Sequence, residues 1–359
     1  MARTRPFVRD DIPDVVALRQ QSFSQSHRES ASELADYMQT MFFDGPWCDE
    51  TMPSKVYEDG SGRVAGFIGV MPRWMCFKGA PIRVAVFTQL MVAPESRGIA
   101  GVALLRDFFH GSQDLSLSDA STDVARKLCE QMGGTTALLY SMCWTRPIMP
   151  WRYAAARIGG GTGQRALRAV ARPLLRVGDS AAARLPGSWF RQTAPTTQTT
   201  GLSSRAIVDQ WQCMSQEYAL RGCYDEAFLD FALREAARKQ ELGTLERTLV
   251  QDASGRAIGW YVHYVKPGDI GQVVHVAAAP NKYTEVLEDL FYHAWKSGEI
   301  AVRGRFSPKH WPLLEAKHCV LGWDSSWTTV HSRHQEILHA ITRGDALLSR
   351  LDGEYWMTF

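Results

Sequence analysis

Between Ile82 and Val92 the chain is almost continuously apolar, and the run stops at Ala93 and Pro94. That pattern predicts a strand. Glu95, Ser96, Arg97 and Gly98 then make a short polar turn, and from Ile99 or Ala100 small and apolar residues recur at helical spacing through Leu104, Leu105, Phe108 and Phe109. The first amides of such a helix have no partner inside it, so several N–H groups and the positive end of the helix dipole converge on one spot suited to a phosphate.

Elements on either side follow from the same patterning. Pro6 to Arg9 reads as a short strand, and Asp11, Ile12 and Pro13 open a helix with apolar positions at Val15, Val16, Leu18 and Phe23. Leu34, Tyr37, Met38, Met41 and Phe42 give a second helix one buried face. Lys55 to Val70 supplies two strands about a turn at Asp59–Gly62, and the second runs on to Phe77 and a turn at Lys78–Pro81. Three antiparallel strands ahead of a phosphate-type turn do not match a dinucleotide-binding βαβ unit. Beyond the central helix come a strand over Asp114–Ala120 and a helix over Val124–Met132, capped from Ser121, Thr122 or Asp123 and stopped by Gly133 and Gly134. The apolar stretch Thr136–Trp144 is expected to be the last strand of the first sheet.

Val92-Ala-Pro-Glu-Ser-Arg-Gly98 followed by small residues and Leu104-Leu105 resembles the acyl-CoA signature of the GNAT (GCN5-related) acetyltransferases, Arg/Gln-x-x-Gly-x-Gly/Ala. Counted from Arg97, the small positions fall on Ala100 and Val102; counted back from the leucine pair, Gly101 takes the second. We adopt the register in which Gly98, Ala100 and Gly101 line the turn, since a side chain at Val102 would obstruct close backbone approach. Gly101→Arg is then expected to abolish coenzyme A binding and leave the fold intact. Ala125-Arg-Lys-Leu-Cys-Glu-Gln-Met-Gly133 is similar to the second signature of that family, Ala-x-x-Leu-Tyr-Glu-x-x-Gly-Phe.

The resemblance implies an α/β (α+β) fold with a mixed, mostly antiparallel sheet, and a co-substrate, acetyl-CoA or another acyl-CoA. It places the thioester carbonyl near the backbone of Leu90, Met91 and Val92, and the pyrophosphate against Arg97, Gly98, Ile99, Ala100, Gly101 and Val102. Where the family carries its tyrosine beside the departing sulfur, this chain has Cys129, with Tyr140 on the next strand as a substitute. The strand from Ile82 to Val92 holds no carboxylate, which leaves Asp119 as the nearby acid for proton transfer.

The second half echoes the first. Asp59-Gly-Ser-Gly-Arg-Val-Ala-Gly-Phe67 returns as Asp252-Ala-Ser-Gly-Arg-Ala-Ile-Gly-Trp260, and each copy proceeds through a turn begun by a lysine, Lys78 or Lys266, to an Ala-Pro pair ending at Pro94 or Pro280. One supersecondary unit used twice is the expectation. After Pro280, Asn281, Lys282 and Tyr283 lead directly into a helix from Thr284 to Trp295 without a glycine turn, so the second copy is not expected to hold coenzyme A. Segments at Ile300–Arg305, Ser325–Val330 and Ile337–Arg343, a helix around Trp311–Lys317, and a packed tail from Asp345 to Tyr355 are consistent with a complete but degenerate copy. The organisation expected is a GNAT-like domain over 1–150, a connector over 151–200 and a degenerate GNAT-like domain over 201–359, with an acceptor-site or structural role.

From 146 to 200 nine arginines stand against one acid, Asp179. The Arg165–Arg184 stretch reads as a basic amphipathic helix interrupted at Pro173, packed between domains, with peripheral contact to anionic lipid or a partner surface as the alternatives. Gln192–Ser204 reads as a mobile linker. The net charge of +2 gives no reason to invoke nucleic acid, and no apolar run is long enough to span a membrane. No secretion signal is read at the N-terminus, and seven scattered cysteines without zinc spacing read as reduced, mostly buried thiols in a cytoplasmic protein. No metal site is expected: His334 and His339 are five apart, off the four-residue spacing of a helical ligand pair. The resemblance to the GNAT family implies N-acyl transfer to a primary amine of a sugar, amino acid or peptide, with a non-catalytic scaffold whose coenzyme A turn has decayed as the alternative.

Overall fold

The computed structural model describes residues 2–22, 30–157, 162–324 and 326–357. Phe23 and Ser325, each assigned above to an element or segment, lie outside them. The first half supplies β1 (Arg3–Pro6), α1 (Ile12–Ser22), α2 (Ala31–Phe42), β2 (Lys55–Glu58), β3 (Val64–Phe77), β4 (Ala80–Val92), α3 (Ile99–Phe109), β5 (Leu115–Ser121), α4 (Asp123–Gln131), β6 (Thr135–Thr136) and β7 (Met142–Pro147). Two helices follow, α5 (Pro150–Arg157) and α6 (Thr162–Arg184). The second half runs β8 (Gln198–Gly201), α7 (Ser204–Ser215), β9 (Leu220–Gly222), α8 (Glu226–Ala237), β10 (Thr244–Gln251), β11 (Ala257–Val265), β12 (Ile270–Ala278), α9 (Tyr283–Lys296), β13 (Ala301–Arg305), α10 (Trp311–Ala316), β14 (Val320–Trp323), β15 (Trp327–Ser332) and α11 (Gln335–Thr342).

These strands form two mixed sheets flanked by helices. The first is ordered β1-β2-β3-β4-β5-β15-β6, with β9 also on β3; the second is β8-β10-β11-β12-β13-β7-β14. Position for position the orders match, so the repeat is structural as well as sequential. The turns that announced it are chemically alike. Asp59 Oδ1 accepts from Ser61 N, Ser61 Oγ and Arg63 N, and Asp252 Oδ1 accepts from Ser254 N, Ser254 Oγ and Arg256 N.

Two strands have changed places. β7, expected to close the first sheet, lies in the second between β13 and β14, and β15 takes the vacated position between β5 and β6. Each sheet therefore draws strands from both sides of residues 150–200. Thr136–Trp144 is not one strand either: a 3-10 turn over Leu138–Ser141 carries the chain from one sheet to the other. Gln198–Gly201, read as linker, is the polar edge strand of the second sheet, paired with β10. All seven cysteines are free, with Cys48, Cys213 and Cys223 exposed, so fewer are buried than expected. Among the described residues no helix is long and apolar enough to cross a membrane.

Candidate active site

The parallel ladder between β4 and β5 is short. It pairs Val84 with Leu115, Ala85 with Ser116 and Val86 with Leu117, after which the strands part. Where they part, β4 bulges: Phe67 faces Met91 and Gly69 faces Thr88, so Gln89 and Leu90 together oppose Ile68. Gln89 has φ of 51°, a left-handed conformation uncommon outside glycine. Its side-chain amide donates to the Tyr37 hydroxyl of α2 at 2.8 Å, which ties the bulge to the helical layer.

Past Val92 comes the turn. Gly98 has φ of 92°, and a Cβ there would meet no atom within 4 Å, so glycine is required for backbone conformation and not for space. The first helical bond of α3 runs from Val102 N to Gly98 O at 3.4 Å, which leaves the amides of Ile99, Ala100 and Gly101 without an acceptor inside the helix. Leu90, Met91 and Val92 thus meet the segment from Arg97 to Val102 at one end of the sheet, with Arg97, Gly98 and Ile99 exposed. Ala100 and Gly101 face inward. A Cβ on Gly101 would lie 3.2 Å from Leu128 and 3.7 Å from Val92, so helix packing accounts for its small size. Gly101→Arg would strike α4, and the expectation that it spares the fold does not hold.

Of the three catalytic candidates only Asp119 lies against the cleft. Cys129 on α4 is buried with its thiol against the Thr329 hydroxyl, and burial pushes its pKa up to about 11. Tyr140 belongs to the 3-10 turn, where its hydroxyl donates to Ala346 O at 2.7 Å and accepts from Ala346 N at 3.1 Å; burial raises the phenol well above its ordinary value. Asp119, late in β5, is fully enclosed and pairs with Arg305 of β13 at 3.0 Å.

A second carboxyl occupies the opening. Glu354 accepts from Ser118 Oγ of β5 at 2.8 Å and from the Thr88 hydroxyl of β4, so its carboxyl bridges the two strands immediately beyond their last pair. Its backbone N–H donates to Asp119 at 2.7 Å. Burial first, and the Asp119 charge second, raise its pKa to about 7, while the residue keeps partial access to solvent. Nothing near Glu354 in sequence marks it: an acid among Leu351, Tyr355 and Trp356 becomes significant only when the tail is seen to enter the cleft. A cavity of about 140 Å³ lies beside Tyr37, lined by Glu33, Asp36, Thr40, Glu235 and Arg238. Charges on Glu354 and Glu235 both bear on the Tyr37 phenol.

The second sheet repeats the opening and closes it. β12 and β13 pair only from Ile270 with Ala301 to Gln272 with Arg303, and β12 bulges at Val274. The tail fills the gap. Arg350 donates to Gln272 Oε1 at 3.0 Å and Val273 O at 3.4 Å and pairs with Asp324 at 3.0 Å, while Ala346–Ser349 border a residual space of about 40 Å³. His275, buried beside that space, has its pKa lowered to about 4 by desolvation. At the head of α9 stand a Lys282–Glu285 ion pair at 2.7 Å and the buried Tyr283, stacked on His310. Among the described residues no cluster of three His, Cys, Asp or Glu side chains could hold a metal ion.

By sequence the chain matches no protein-family model and no curated protein. By structure it resembles a protein of unknown function from Enterococcus faecalis described as a probable N-acyltransferase, with a TM-score of 0.62 at 13% identity over 92% of this chain and 72% of that one. It is similar to a GCN5-related N-acetyltransferase from Anabaena variabilis, with a TM-score of 0.60 at 13% identity over 93% and 74% of the two chains. Saccharomyces cerevisiae N-myristoyltransferase, solved with myristoyl-CoA, aligns with a TM-score of 0.51 at 12% identity over 92% and 78%. The chain has the GCN5-related N-acetyltransferase fold.

Proposed function

We propose that this protein is an N-acyltransferase that moves an acyl group, acetyl first among candidates, from acyl-CoA to a primary amine by direct attack in a ternary complex. Glu354 carries the reading. A carboxyl with a pKa of about 7 sits where β4 and β5 separate, next to the bulge of β4, and β4 leads on through the Ala93–Gly98 turn to the unpaired amides of α3. The turn residues from Arg97 to Gly101 fit a pyrophosphate, because they offer free amides, an exposed guanidinium and no side chain at Gly98.

The chemistry needs few groups. The Glu354 carboxylate takes one proton from the arriving ammonium, the freed amine nitrogen attacks the thioester carbonyl, forming the C–N bond as the C–S bond breaks, and the second surplus amine proton passes to the departing sulfur. Backbone amides of the Leu90–Val92 segment stabilise the developing oxyanion, and the coenzyme leaves as the thiol. Glu33 and Asp36 beside Tyr37, with Glu235 there paired to Arg238 at 3.1 Å, favour an acceptor that arrives as a cation. Cys129 and Tyr140 take no part in this scheme. Asp119 acts through Glu354, holding its backbone and raising its pKa.

Titration calorimetry with acetyl-CoA and with desulfo-CoA tests the first step, and thiol release with a panel of amines tests the second. Heat on titration together with amine-dependent thiol release is the expected result. No heat at millimolar ligand would return the protein to the class of non-catalytic scaffolds. The soluble reaction components fit a cytoplasmic enzyme, and small-molecule and peptide amines are the acceptor classes to try first.

A further inference from the structure

The α5–α6 hairpin lies outside both sheets and takes no part in the cleft. Its inner face is well made: Asp179, the single acid among residues 146–200, is buried, accepts from Trp151 N at 2.8 Å and pairs with Arg152 at 2.6 Å. Gly178 receives the Trp151 ring. Among the described residues the outer face has no such cover. Leu174 and Val177, with Leu185 just past the helix end, recur at intervals that keep them on one side, and they are 77%, 68% and 62% exposed. Trp151 is exposed beside them, and Arg176 and Arg184 stand exposed along the adjoining side.

Apolar side chains held in water next to arginines, with the neighbouring carboxylate turned inward, match one kind of partner. We propose that this face docks on an anionic lipid surface, the leucine and valine side chains entering the headgroup region and the arginines contacting lipid phosphates. Nucleic acid would satisfy the arginines but leave the apolar stripe unmatched. An acidic protein patch would do the same unless it were itself apolar at the centre. The proposal does not depend on the acyl-transfer reading.

Co-sedimentation of the full chain with phosphatidylcholine vesicles, with and without phosphatidylglycerol, provides the test. Binding is expected only to the anionic vesicles, weakening as salt is raised. Arg176→Glu/Arg184→Glu should lower the partition coefficient by about tenfold or more. Leu174→Ser/Val177→Ser/Leu185→Ser should lower it by about fivefold or more, with an unchanged melting temperature because these positions are already solvated. Failure of the unmodified protein to bind anionic vesicles overturns the proposal. So does loss of binding in the arginine variant alone, since a surface that reads only charge is a polyanion patch and not a lipid-docking face.

Discussion

The two clefts begin alike and end differently. In each sheet a short parallel ladder fails after three pairs and the central strand bulges where it fails, at Gln89–Leu90 or Val274. The first cleft then receives from the tail Glu354, a half-buried residue whose carboxyl bonds to Ser118; the second receives the enclosed Arg350 and is stoppered. One backbone device thus serves either as a site or as a socket, and what decides is the side chain delivered to it. Turn chemistry points the same way. Gly98 leaves the α3 amides open, whereas Lys282, Glu285 and Tyr283 crowd the head of α9.

Substitutions can break this contrast from its strongest point downward. Glu354→Gln should reduce kcat by about 100-fold to 10,000-fold with acetyl-CoA affinity unchanged, as steady-state kinetics and calorimetry would register. A base works ionised, so kcat/KM of the unmodified protein should climb as pH rises through about 7 and level above it, and the variant should lose that inflection. The same carboxyl affects stability with a definite sign. Its native pKa lies above the ordinary value of 4.5, so the contribution to stability is fully present below that value and is lost as pH rises through about 7; chemical denaturation of the Gln variant should lack this dependence.

Arg305→Met comes next. It leaves Asp119 enclosed without its partner, and denaturant melts should show a loss of about 3–5 kcal/mol. Gly98→Ala is smaller, at about 1–2 kcal/mol, because it forces a Cβ into a positive φ, and it should weaken acetyl-CoA binding in the calorimeter. Smallest is Asn281→Gly. Asn281 already has φ of 64°, so glycine relieves little, and the stoppered cleft should keep the stoichiometry at one acetyl-CoA per chain. Two per chain would mean that the second turn was closed only by its sequence.

Local chemistry was legible in the sequence, and long-range pairing was not. The Asp59 and Asp252 turns carry their own hydrogen-bond acceptors, and Ala93–Gly98 carries its own strand stop and positive-φ glycine, so both could be read from a few neighbouring residues. β7 offered no such mark. Its apolar residues suit an interior position in either sheet, and nothing in Met142–Pro147 names β13 and β14 as neighbours. Leu138–Ser141 is apolar enough to imitate a strand, while Gln198–Gly201 is so exposed at its sheet edge that it imitates a linker. Glu354 escaped for the same reason as β7. Its partners Thr88 and Ser118 lie more than 200 residues away, at a separation where composition and periodicity carry no information.

The exchange of β7 and β15 has a mechanical corollary. Each of these strands is flanked on both edges, so withdrawing either would tear a sheet open through its interior instead of peeling a border. Neither half can be excised as a free-standing unit, and force applied between the chain ends would have to rupture both ladders before the halves could come apart.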